Sequence, residues 1–322
     1  MNSPSNAESG PGSPTPAPTP PSDSGTNDPG YDVVGTRPLY WSVWRELWEN
    51  RSIYIAPLIV AAVQVFGLAI STIGLAERRR EVLLFDDPAK QRAAIEVPYD
   101  LAAMMMIFTV FIVGVFYCLD ALHSERRDRS ILFWKSLPVS DRTTVLSKVT
   151  IPLVVLPLVA FVMVVCVQLI MLLITSANLL VHGMNPASTW AHVPFFQNWL
   201  VFFYGLVAIA LWHTPIYGWL LLVSGWARRA TFLWAVLPFI AIQIFEKITF
   251  NTQHFAFMLR NRLVGFAPEA FDFQGQSQPC INSLGQLTPG RYLSSPGLWL
   301  GLIAAAAFLA AAVRLRRYRG PI

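Results

Sequence analysis

The sequence predicts an all-α integral membrane protein, with six transmembrane helices and an N-terminal amphipathic helix at the interface. Two observations carry this prediction. Of 322 residues, 54% are hydrophobic and 13% charged, and the apolar residues are gathered into runs of about 20, the length needed to cross about 30 Å of hydrocarbon. The net charge of +5 resides in short basic clusters beside those runs, not along one face. That is the pattern of juxtamembrane orientation charge, so lipid is the expected surrounding and nucleic acid is not an expected partner.

Residues 1–36 are rich in Pro, Ser, Thr and Gly (SPTPAPTPPSDSG) and predict a disordered tail. They show no basic segment leading into an apolar one, so no signal peptide is expected there. The membrane domain is expected over 37–322. It opens with a surface helix at 38–51, where Tyr40, Trp44, Leu47 and Trp48 recur at helical spacing while Arg45, Glu46, Glu49 and Arg51 take other positions. Trp41, Trp44 and Trp48 beside an apolar run fit an interfacial belt.

Spans follow at about 53–76, 101–119, 149–175, 200–224, 231–250 and 297–313, an even number that puts both termini on one side. Of the 24 basic residues, fifteen fall on the side of the tail, the 121–148 connector, the Arg228–Arg229 turn and the C-terminal RLRRYR. That side is expected to be cytoplasmic, although Arg78, Arg79 and Arg80 follow the first span on the other side, as a charged extension of its helix. Pro57, Pro152, Pro157, Pro215 and Pro238 interrupt the spans, each removing a backbone donor. The loop at 251–296 lies on the outer face, with an apolar part (His254 to Phe273) expected as a re-entrant or surface helix pair. Of the cysteines Cys118, Cys166 and Cys280, only the last faces an oxidising space in this topology, so no intrachain disulfide framework is expected.

The connector at 121–148, which includes LHSERRDRSILFWKSLPVSDRTTVLSK, is the most informative segment. It is dense in charge, yet Ile131, Leu132, Phe133 and Trp134 form an apolar knob in its middle, suited to packing on the membrane or filling a groove on a partner. Pro138 followed by Ser140 and Asp141 reads as a stop and an N-cap for the helix entering the third span. A stiff element between two spans is either a handle through which a soluble motor moves membrane helices, or a segment whose charges merely enforce topology while its apolar tetrad dips into lipid.

The stretch ERRDRSILFWKSLPVSD followed by VLSK resembles the cytoplasmic connector of type-2 permeases of ABC transporters, through Glu125, Arg126, Asp128, Arg129, Ser130, Trp134, Lys135, Leu137, Pro138 and Lys148. The layout from Arg37 onward is similar too, while the Pro-rich tail departs from the pattern. The resemblance implies an export-type permease of a bacterial inner membrane, paired with a second copy of itself and docked on a cytoplasmic ATP-binding subunit. It implies that Ile131 to Trp134 fill a groove on that ATPase, with Glu125, Arg126, Arg127, Asp128, Arg129, Lys135 and Pro138 around them. ATP and Mg belong to the partner, since this chain contains no GxxxxGK[ST]. No cofactor and no enzymatic activity are expected here: HExxH, GxSxG and CxxC are missing, and the histidines are dispersed. The expected cargo is amphipathic, lipid-like or a peptide. A scaffold or sensor recruiting soluble proteins through the same connector is the alternative. Within the spans, Gln168 and His213 are candidates to line a path, or to bond between helices, whereas Gln64 and Gln243 are expected to bond between helices.

Overall fold

The computed structural model describes residues 38–85, 87–130, 132–133, 140–187, 190, 194–273 and 284–318. Among them every regular element is helical, apart from one isolated bridge between Phe271 and Leu287. Helix α1 is Pro38–Glu49, α2 is Ser52–Ser71, α3 is Leu75–Leu83 and α4 is Pro88–Asp120. A short α5 (His123–Arg127) follows α4. Next come α6 (Asp141–Thr150), a π-helical turn (Ile151–Val155) and α7 (Leu156–Val181) as one continuous rod. Then come α8 (Phe195–Trp226), α9 (Thr231–Phe250), α10 (His254–Val264), α11 (Phe266–Ala270), α12 (Pro289–Ser294) and α13 (Pro296–Tyr318). Six of these rods are long and apolar enough to cross a membrane, at the positions the apolar runs predict.

The bundle is arranged around α8, which packs against α13, α4 and α7. Its sequence is apolar on all sides, as a central helix requires, and 67% of its most apolar window is buried. The close approach of α8 and α13 depends on small residues: a Cβ added to Gly218 meets the Cα and carbonyl oxygen of Ala305 at 3.4 Å. Within the alanine run of α13, Ala305 and Ala312 are buried while Ala306, Ala307 and Ala310 are exposed. By contrast α9, equally apolar, has only 6% of its window buried.

The π turn coincides with two prolines in the sequence. Pro152 and Pro157 lack backbone N–H groups, so each removes one α-type bond, the first within the wider turn and the second just beyond it.

The charged stretch at 77–98 is helical instead of a loop. The first span ends at Ser71, Gly74 takes φ +73°, and the arginines that follow occupy the separate helix α3, so the charges do not extend the first span. Helix α4 begins at Pro88, well before the expected 101, with Lys90 and Arg92 exposed and Ile95, Glu96 and Tyr99 buried in this extension. In the segment after α9, α10 and α11 pack on α8, and Phe271, Tyr292, Trp212 and Leu298 form a second core. Arg262 stacks 4.8 Å from the Trp212 ring and donates to the Gly297 carbonyl at 2.9 Å, in space left open by Gly301.

Candidate functional site

A buried ionic cluster lies where α1, α5, α6 and α13 meet. Helix α1 faces its polar stripe inward: Ser42 and Glu46 are buried, while Tyr40, Trp41, Trp44 and Trp48 are exposed. Glu46 has no solvent exposure. Its Oε1 accepts from Lys148 Nζ at 2.8 Å and Arg45 at 2.9 Å, and its Oε2 accepts from the Tyr117 hydroxyl at 2.7 Å. Lys148, 2% exposed at the end of α6, also lies 3.0 Å from Glu125 Oε1. Glu125 in turn pairs with Arg316 near the end of α13, and Arg316 Nε donates to Asp141 at 3.1 Å. Glu46, Glu125 and Asp141 thus form one network with Arg45, Lys148 and Arg316 that joins segments far apart in the chain, and the more exposed Glu49 adds a fourth carboxylate 3.6 Å from Arg45.

The base of the connector is held as firmly. Where α4 ends, the backbone N–H groups of Leu122 and His123 donate to Ser224 Oγ at 3.0 and 2.9 Å. Arg126 donates to the Gly225 carbonyl at 2.8 Å, placing a cation on the open carbonyls that end α8. On the far flank, Ser140 caps α6 by accepting from the Thr143 N–H at 3.1 Å, as the sequence predicts.

Burial alone pushes the Glu46 carboxyl up, but the adjoining Lys148 ammonium and the bonds from Lys148, Tyr117 and Arg45 outweigh it and hold the carboxyl below its ordinary value. The Glu46 carboxylate is thus committed to Lys148, Tyr117 and Arg45. Breaking one of its pairs costs about 3–5 kcal/mol, because a buried charge is left uncompensated. What the arrangement does well is hold several elements in one register. Among the described residues, no group of three or more His, Cys, Asp or Glu side chains is placed to hold a metal ion.

The residues singled out in the connector divide into two sets. Glu125 and Arg126 are buried and engaged within the chain, so they are not presented at the rim of a docking surface. Arg127, Asp128 and Arg129 are exposed, as are Leu132 and Phe133, at 58% and 61%. Ile131, Trp134, Lys135 and Pro138 lie outside the described residues, as do the 1–36 tail and Cys280. Gln168 and His213 are both buried and held between elements. Gln168 donates to the Tyr99 carbonyl at 3.2 Å and accepts from Trp199 at 2.7 Å, while His213 sits between the carbonyls of Ile209 and Leu263. Gln64 donates to the Ala102 carbonyl across α2 and α4, the expected helix–helix bond. Gln243 is exposed on α9 and makes no such bond among the described residues.

Glu46, Tyr117, Ser224 and Arg316 escape a reading by sequence runs, since each lies in a different segment. The signal for Glu46 was present: Ser42, Glu46 and Asn50 form a polar stripe opposite Tyr40, Trp44 and Trp48, and so many exposed rings turn the polar side inward. Comparison of the chain with protein families, with curated proteins and with solved structures found no match in any of the three.

Proposed function

We propose that this chain is the membrane-spanning subunit of an ATP-driven exporter, inserted in a bacterial inner membrane as a pair of identical copies with its termini in the cytoplasm. The motor, with its ATP and Mg, is a separate cytoplasmic subunit, and the cargo is amphipathic, lipid-like or a peptide. The exposed aromatic face of α1 supports a helix lying in the interface, its rings in the headgroup layer and its polar side on the protein.

The observation that carries the reading is an exposed apolar pair between two flanks that are anchored to the helix bundle. Leu132 and Phe133 stand out next to exposed charges, while the chain on either side is clamped by Ser224, Gly225 and the Lys148 cluster. A partner seated there would sit beside flanks whose contacts reach α4, α6, α8 and α13.

Affinity purification of the full chain in mild detergent, followed by mass spectrometry, tests the proposal. The expected result is a stoichiometric P-loop ATPase, lost in Phe133→Asp while the variant remains in the membrane fraction. Recovery of soluble proteins with no ATPase among them replaces the proposal with a scaffold or sensor. An ATPase bound equally by Phe133→Asp removes the connector from the contact.

A further inference from the structure

At the opposite end of α2 from α1, the helices leave a groove with a cation at its head. A cavity of about 400 Å³ lies between α2, α3 and α4, walled by Leu75, Val82, Ile95 and Tyr99, with Arg78 and Arg79 on its lining. A second cavity of about 270 Å³ continues along α2 and α4 past Gly67, Met105 and Met171. The two share Leu68, Ser71, Pro98 and Leu101, so they form one apolar slot. From Ser71 to Val63 it follows about 12 Å of helix, at a rise of about 1.5 Å per residue.

The two arginines differ in what they do. Arg78 is engaged by the carbonyls that end α2, donating to Ser71 and, at 3.1 Å, to Ile73. Arg79 is only 8% exposed and lines the cavity, yet it has no hydrogen bond or ion pair among the described residues. Most of the residue is covered while its guanidinium nitrogens still reach open space, and burial is the main influence on it, drawing its pKa below the ordinary value. Lower in the slot, a Cβ added to Gly67 meets nothing within 4 Å, so that wall is open. Val63, Val97, Leu101 and Met105 line the slot and are themselves exposed, so its side is open.

We propose that this slot binds an anionic phospholipid, its phosphate on Arg79 and one acyl chain along the groove past Gly67. The inference rests on the chain being a multi-pass membrane protein and is independent of the transporter reading. On that reading the cation lies just beyond the end of an apolar span, at headgroup depth, while the slot continues at the depth of the acyl chains. A guanidinium supplies paired donors in the geometry that phosphate oxygens accept.

The test uses the purified, delipidated full chain in detergent, titrated with dioleoyl phosphatidylglycerol, dioleoyl phosphatidylcholine and oleate, and read by native mass spectrometry. Phosphatidylglycerol is expected to be retained about fivefold or more over phosphatidylcholine, the discrimination one arginine supplies. Arg79→Gln should abolish the preference, whereas Arg80→Gln, at an exposed neighbour, should preserve it. Gly67→Phe should fill the slot and weaken both phospholipids. Equal retention of the two, an unchanged preference in Arg79→Gln, or no effect of Gly67→Phe overturns the proposal, as does oleate displacing phosphatidylglycerol at equal concentration. Should Arg79→Gln fail to keep its helical circular dichroism, Gly67→Phe decides alone. A failure of the membrane reading shows separately, as release of the chain from membranes by alkaline carbonate.

Discussion

Lys148 is the residue on which the connector end of the bundle depends. Replacing it with Met leaves two buried carboxylates without their shared cation and is expected to destabilise the protein by about 3–5 kcal/mol, measured by thermal unfolding in detergent. Adding Glu46→Gln to that change should cost less than the two single substitutions together, since the pair is lost once and not twice. Acid is expected to act at the same place. Because the Glu46 carboxyl is held below its ordinary 4.5, its contribution is fully present above that pH and is lost as pH falls through the depressed value. The stability advantage of the natural protein over Glu46→Gln should therefore hold steady from about pH 7 to about pH 5 and shrink below about pH 4.5. An advantage that grew on acidification would contradict the ion-pair account.

At the scale of elements, the contact between α8 and α13 gives a graded test. Gly218 faces Ala305 at ordinary van der Waals distance for a methyl group, so Gly218→Ala should be tolerated, whereas Gly218→Leu should force the helices apart at a cost of about 1–3 kcal/mol. Equal unfolding temperatures for the two variants would contradict this packing. The elements were the most legible part of the sequence, because a run of about 20 apolar residues has few other uses. The α9 boundaries and the Ser140 cap follow directly from residue type. The charged stretch after α2 was less legible: Gly74 ends one helix through its own φ, but nothing in a row of arginines shows that a second helix starts beyond it. The candidate site was legible in part. Glu125 and Lys148 are visible as charges in the connector, but their burial depends on Glu46 and Arg316, which arrive from the two ends of the membrane domain and carry no mutual signature in one sequence.

At the scale of the whole molecule, α1 and the end of α13 meet the connector through one network, an arrangement compatible with six crossings. A single cysteine at position 133 and another in α3 should therefore label from opposite sides of a sealed vesicle; labelling from the same side would overturn the six-span topology. Helix α9 behaves differently from its neighbours. With only 6% of its apolar window covered by the rest of the chain, protein contacts do little to fix its angle. In a bilayer such a rod leans until its greasy length equals the thickness available, and leaning in that way costs little. The surroundings, more than the fold, would then choose its pose, and thin or thick membranes would select different shapes of the same molecule.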